Sequence, residues 1–169
     1  MHFLKFITFI FLLQAPCFSF GQSLMEQKST IDDLVNMIDA DKANASFGFN
    51  IIAMKKVFHK IYYQYQTRHG SIVKIERRFK LHSDSTLQTF YFKNTRLIYA
   101  TEFIISYYGE KNKPDSMFWG GNYYFAKNKL LDFITLGHGK SETDEWDPQQ
   151  EVLANCKAAR NDIARHKKK

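Results

Sequence analysis

The chain has 169 residues, a formal net charge of +7 and 16% aromatic content. That length suits one domain, and an apolar share of 44% excludes a disordered or low-complexity chain. Two cysteines, of which one sits in the first twenty residues, exclude a disulfide scaffold.

Residues 1–21 have the make-up of an export signal. Lys5 precedes a stretch from Phe6 to Leu13 that is apolar but for Thr8, and Ser19-Phe20-Gly21 places small residues where a signal peptidase needs them. Cleavage is expected between Gly21 and Gln22, leaving residues 22–169 as one domain, exported to the periplasm or secreted. The apolar stretch is short of the about 20 residues that span a bilayer, so the mature chain is expected to carry no transmembrane segment. Pro16 and Gln14 argue against lipidation of Cys17. Lys5 leaves with the signal, and Lys167, Lys168 and Lys169 form a basic tail from about residue 165. An exported chain rarely meets nucleic acid, so the basic balance suits anionic envelope polymers or a solvated tail.

Ser29-Thr30 can cap a helix that opens with Ile31-Asp32-Asp33 and carries Leu34, Val35 and Ile38 at helical spacing. Residues 50–66 fit a second helix through Ile51, Met54, Phe58, Ile61, Tyr62 and Tyr65, with an alternating strand as the rival. Beyond a break at His69-Gly70, residues 72–81 alternate: Val73, Ile75, Phe79 and Leu81 on one face, Lys74, Glu76, Arg78 and Lys80 on the other. Arg77 is the misfit.

Phe90-Tyr91-Phe92-Lys93-Asn94-Thr95-Arg96-Leu97-Ile98 and Tyr123-Tyr124-Phe125-Ala126-Lys127-Asn128-Lys129-Leu130-Leu131 superpose without a gap, 33 residues apart. Aromatics suit a half-buried pleated surface, the polar stretch suits a turn, and the aliphatics begin a return strand. The pair reads as one β-hairpin used twice in a meander. The strand from Arg96 to Tyr108 is apolar on both faces and belongs at the sheet's centre. Gly120-Gly121 marks a bulge or a close backbone approach. Asp147-Pro148 opens a C-terminal helix with the apolar stripe Val152, Cys156, Ala159 and Ile163, which makes Cys156 a buried hydrophobe.

Gly137-His138-Gly139-Lys140-Ser141 looks like the end of a phosphate-binding loop. The first glycine of such a loop would fall at Ile134, inside a strand, and Glu142 to Asp147 would repel a triphosphate. No nucleotide or other cofactor is expected. His59, His69, His82, His138 and His166 never pair at local ligand spacing, so no metal is expected. Asp84-Ser85-Thr86 and Asp115-Ser116-Met117 match a short O-glycosylation pattern, in expected loops. Trp119, Tyr123, Trp146 and Tyr108 are the aromatics that could offer a protein or glycan a surface. Asp144, Glu145 and Asp147 with His138 form an acidic cluster that a hydrolase could use.

The doubled hairpin resembles a loose group of exported proteins from bacteria of the Bacteroidetes type, whose strands carry Tyr-Tyr-Phe-x-x-Gly-Lys-Leu. Tyr124-Phe125 with Lys129-Leu130, and Tyr91-Phe92 with Arg96-Leu97, carry the likeness, and Tyr107-Tyr108-Gly109-Glu110 is similar to the link between hairpins. The turn glycine is missing in both copies. The resemblance spans roughly residues 50–165 and implies no activity.

The expected architecture is α+β: an antiparallel meander of about five strands, one or two N-terminal helices, and a C-terminal helix packed on one face. The expected function is a non-catalytic exported binding module for an envelope protein or glycan. An inhibitor or immunity-type protein blocking an envelope enzyme is the alternative, and a hydrolase using the acidic cluster comes third.

Overall fold

A computed structural model describes residues 23–55, 57–81, 84–110, 113–137 and 139–168, without side-chain detail at 52–55, 57–59, 81, 107–110 and 113–117. Residues 1–22, with the expected signal and Cys17, lie outside the described residues, as does His138. In chain order come α1 (Leu24–Ala40), β1 (Ala45–Lys55), β2 (Val57–Arg68), β3 (Ser71–Leu81), β4 (Asp84–Lys93), β5 (Arg96–Glu110), β6 (Lys113–Ala126) and β7 (Lys129–Gly137). A short 3-10 turn (Lys140–Glu142) then leads to α2 (Pro148–His166).

The α+β class is as expected, but the sheet has seven antiparallel strands in the order β1 to β7 rather than five. The two additional strands come from residues 45–68, where the predicted helix over 50–66 is replaced by a hairpin. Tyr63 and Tyr65 are buried, while Tyr62 before them is 40% exposed and Gln64 between them is half-buried, the period-two signature of a strand. The aromatic and β-branched residues suit a pleated surface, and pairing of Tyr63 with Arg77 of β3 adds a long-range partner that helical spacing cannot reveal. Among the described residues one N-terminal helix remains. It starts earlier than Ser29-Thr30 because Ser23 and Glu26 form a reciprocal capping box, which satisfies two otherwise orphaned amides.

The doubled hairpin is present, as β4–β5 and β6–β7, and its two copies share a detailed geometry. Both turns have two residues at positive φ, Asn94-Thr95 and Lys127-Asn128, the requirement of a type I′ turn. Both place a register shift at the same step before the turn, at Tyr91/Phe92 and Tyr124/Phe125. The β2–β3 hairpin repeats the plan with His69-Gly70 at positive φ and a shift at Gln66/Thr67. The extra residue of the return strand is Val73, Ile98 and Leu131 in turn. Asp84-Ser85-Thr86 and Asp115-Ser116-Met117 fall in β4 and β6 rather than in loops.

Adjacent residues point to opposite faces, and the helices divide between them. Tyr123 is fully buried in a core with Ile75, Phe90 and Phe125 beneath Val152, Cys156, Ala159 and Ile163 of α2. Tyr124 points the other way, with the Lys28 ammonium of α1 over its ring. The stripe expected on α2 is thus the buried one, and Asp147 caps the helix by accepting from the Gln150 amide. Burial of an aliphatic such as Ile163 contributes about 1.5–3 kcal/mol. The helix reaches both margins of the sheet: His166 stacks on Phe49 of β1 with ring centroids 4.0 Å apart, and the Gln149 side chain accepts from the Leu130 amide of β7 at 2.8 Å.

Candidate functional site

Three rows of paired residues cross the sheet, and each has a different chemistry. On the α2 face, Arg77, Gln88, Glu102 and Gly121 stand side by side on β3, β4, β5 and β6. Arg77, Gln88 and Glu102 are all buried, at 7%, 3% and 6% exposure. Such burial requires partners, and the row supplies them. The Arg77 Nε donates to the Gln88 carbonyl, the Gln88 amide donates to Glu102, and Lys140 donates to Glu102 at 2.9 Å. Lys140 also donates to Glu151 of α2, whose second oxygen accepts from the Trp146 indole at 2.7 Å. Arg77 reaches Asn155 of α2 at 2.8 Å.

Burial alone would lower the Lys140 pKa, but the charges of Glu102 and Glu151 and their hydrogen bonds outweigh it and leave it raised. Gly121 ends the row because the Tyr123 ring lies across it. The Tyr123 hydroxyl has no hydrogen-bond partner among the described residues. Burial first, and then the nearby charges of Glu102 and Glu151, push its pKa up. Tyr63 on the same face donates to Asp162 at 2.6 Å, and burial followed by that hydrogen bond pushes it up to about 12.

Two of the aromatics expected to form a display surface are therefore interior. Trp119 is 3% exposed and Tyr123 is 0% exposed; they pack against α2 because their strand positions alternate with Gly120 and Asn122 toward the core. Trp146 is half-buried, edge-on to Trp119 at 5.8 Å and to Phe133 at 5.7 Å, and it closes the core beside the 3-10 turn. Tyr108 lies on β5, with its side chain outside the described residues. Asp144, Glu145 and Asp147 are exposed, and Asp147 is committed to the α2 cap. Among the described residues no three His, Cys, Asp or Glu groups come together as metal ligands. Burial pushes the Cys156 thiol up to about 11, away from nucleophilic character.

The second row lies under α1: Lys74, Tyr91, Tyr99, Tyr124 and Asp132 on β3 to β7. Helix acids and sheet phenols meet here. Tyr91 donates to Asp39 at 2.9 Å, Lys74 donates to the same carboxylate at 2.6 Å, and Lys28 bonds Asp132. The Lys28 hydrogen bond holds the Asp132 carboxyl below the usual range. Burial raises the pKa values of Tyr91, Tyr99 and Tyr124, with the nearby acids of α1 adding to it.

The third row, further along the same face, has no helix of the described residues over it. Tyr62, Arg78, Leu87, Phe103, Gly120 and Leu136 pair across β2 to β7, and Phe118 and Ile134 flank them. Phe103 is 41% exposed, Phe118 45%, Ile134 50% and Leu136 68%, and the two phenylalanine rings stack at 5.9 Å. A cluster of that kind on a sheet face is the usual mark of an interaction surface. The signal was in the sequence as strand alternation: Phe103, Phe118, Ile134 and Leu136 fall on the face opposite Glu102, Trp119 and Phe133.

No helix among the described residues is long and apolar enough to cross a membrane. The chain matches no protein-family model, no curated protein and no solved structure.

Proposed function

We propose that the protein is exported and acts as a non-catalytic binding module whose contact surface is the part of the sheet face that α1 leaves open. The observation that carries this reading is the exposed apolar group Phe103, Phe118, Ile134 and Leu136 on three adjacent strands. Its neighbours Arg78 and Glu76 supply a polar edge joined by their own ion pair at 2.6 Å, the pattern of an apolar centre with a polar margin. Export is supported by the composition of residues 1–21, and the fitting partner is a protein or glycan of the cell envelope.

The test is capture from envelope extract by the wild-type protein and by Phe103→Ser with Leu136→Ser. Both positions are exposed, so the variant is expected to keep its fold by circular dichroism and to lose the captured partner. Unchanged capture by the folded variant defeats the proposal, as does recovery of the protein in the cytoplasm with residues 1–21 still attached.

A further inference from the structure

The three hairpins that share one plan converge at the same end of the sheet, and α1 lies across them. On the helix, Ile31, Leu34, Met37 and Ile38 form a stripe at spacings of three and four, directed toward the turns rather than toward the tyrosine row. Ile31 is buried, Leu34 and Ile38 are half-buried, and Met37 is 61% exposed. The stripe therefore overhangs a groove that it does not fill.

The floor of the groove is built by the bulges. Val73, Ile98 and Leu131, the extra residues of the three return strands, all line it. Two stretches of about 420 and 430 Å³ adjoin through Leu34, Lys93, Asn94 and Ile98, giving one trough along the helix, within the usual range of small-molecule sites. The rim is cationic. The first turn brings Arg68, the second Lys93 and Arg96, the third Lys127. Asp41 is the one carboxylate lining the trough among the described residues, and it already faces Arg68 at 3.6 Å.

We propose that this trough binds a long-chain fatty acid, its acyl chain along Val73, Ile98, Leu131 and the α1 stripe, and its carboxylate against the turn cations. The shape supports one chain, because the floor is a single line of aliphatics between a helix and three turns. The charge supports an acidic head, because Lys93, Arg96 and Lys127 have no ion-pair partner among the described residues. This site is at the turn end of α1, distinct from the open face around Phe103, and the two proposals stand or fall separately.

The test titrates the purified protein with monomeric cis-parinarate, followed by displacement with palmitate. Fluorescence enhancement that palmitate reverses is expected. Lys93→Glu with Lys127→Glu is expected to weaken it roughly tenfold, since reversing two rim charges replaces attraction by repulsion, and added salt is expected to weaken wild-type binding. Met37→Glu, at an exposed position of the stripe, is expected to weaken it as well, whereas Phe103→Ser leaves it unchanged. The proposal is overturned if the wild type gives no reversible enhancement, or if the folded rim and stripe variants bind like wild type. It is equally overturned if the protein binds vesicles containing phosphatidylglycerol but no monomeric fatty acid, which would make the end of the sheet a membrane contact.

Discussion

The Tyr123 hydroxyl occupies the space that a side chain at Gly121 would fill: a Cβ placed there would lie 2.4 Å from the oxygen and 2.7 Å from Cζ. Tyr123 is fully buried, so a shift of its ring must be taken up by the core. Gly121→Ala is expected to destabilise the fold by about 1–3 kcal/mol, measured by urea unfolding. Adding Tyr123→Phe removes the oxygen and is expected to recover part of the loss, whereas Tyr123→Phe alone is expected to be nearly neutral because the hydroxyl gives up no partner among the described residues. Strict additivity of the two substitutions would show that the contact is not the cause.

Lys140 neutralises Glu102 from outside the sheet, and Glu102 is the more buried partner, 6% exposed against 28%. Lys140→Ala strands a carboxylate in the core and is expected to cost about 2 kcal/mol, below the loss for a fully buried pair because water still reaches the ammonium. Glu102→Gln keeps an oxygen for the Gln88 amide and removes the charge that Lys140 answers, so its loss is expected to be smaller. The reverse order in thermal or urea unfolding would remove Glu102 from the centre of this network.

Tyr63, Tyr91, Tyr99, Tyr123 and Tyr124 all keep their protons above the ordinary phenol value of 10.0, with burial the leading cause in each. A folded-state pKa above the unfolded one means stability that is fully present below pH 10 and lost as pH rises toward the folded values. For Tyr63 the window runs from 10.0 to about 12. Phenolate absorbance is expected to rise together with loss of circular dichroism, in one cooperative alkaline transition. Smooth titration near pH 10 with the fold intact would contradict the burial of the tyrosine rows.

Cys156 is the free thiol among the described residues, buried under α2 and pushed up to about 11. Thiol reagents at pH 8 are expected to label it only in denaturant, and Cys156→Ala is expected to lower stability without changing any binding. Rapid labelling of the native protein would show that α2 does not hold its place on the sheet.

Where signals were local, the sequence was readable. Asp147-Pro148 and the stripe Val152, Cys156, Ala159 and Ile163 are the cap and the buried face of α2 as they stand, and the doubled hairpin is a structural repeat down to its bulges. Residues 50–66 misled because Ile51, Ile61 and Tyr65 satisfy both periods, and what decides between them is pairing with β3. The third hairpin went unseen because His69-Gly70 shares its turn geometry with the other two but not their aromatic triplet. Arg77, the misfit in an otherwise clean alternation, was the trace of the polar row. It is a charged residue on the inward face, and its partners Gln88 and Glu102 become visible only through strand register. Trp119 and Tyr123 could not be told from surface aromatics until α2 was known to cover their face.

Every strand of the sheet bonds only to its neighbour in the chain, so pairing needs no long loop to close, a topology associated with rapid folding. Such a ribbon, left to itself, could also open one hairpin at a time. What joins distant hairpins is the pair of helices: α2 grips Phe49 at one border and Leu130 at the other, and α1 ties Lys74 and Tyr91 to Asp132 through Asp39 and Lys28. Cooperative unfolding of this molecule is thus expected to depend on the two clasps laid over the finished ribbon, and loosening them would turn one transition into several.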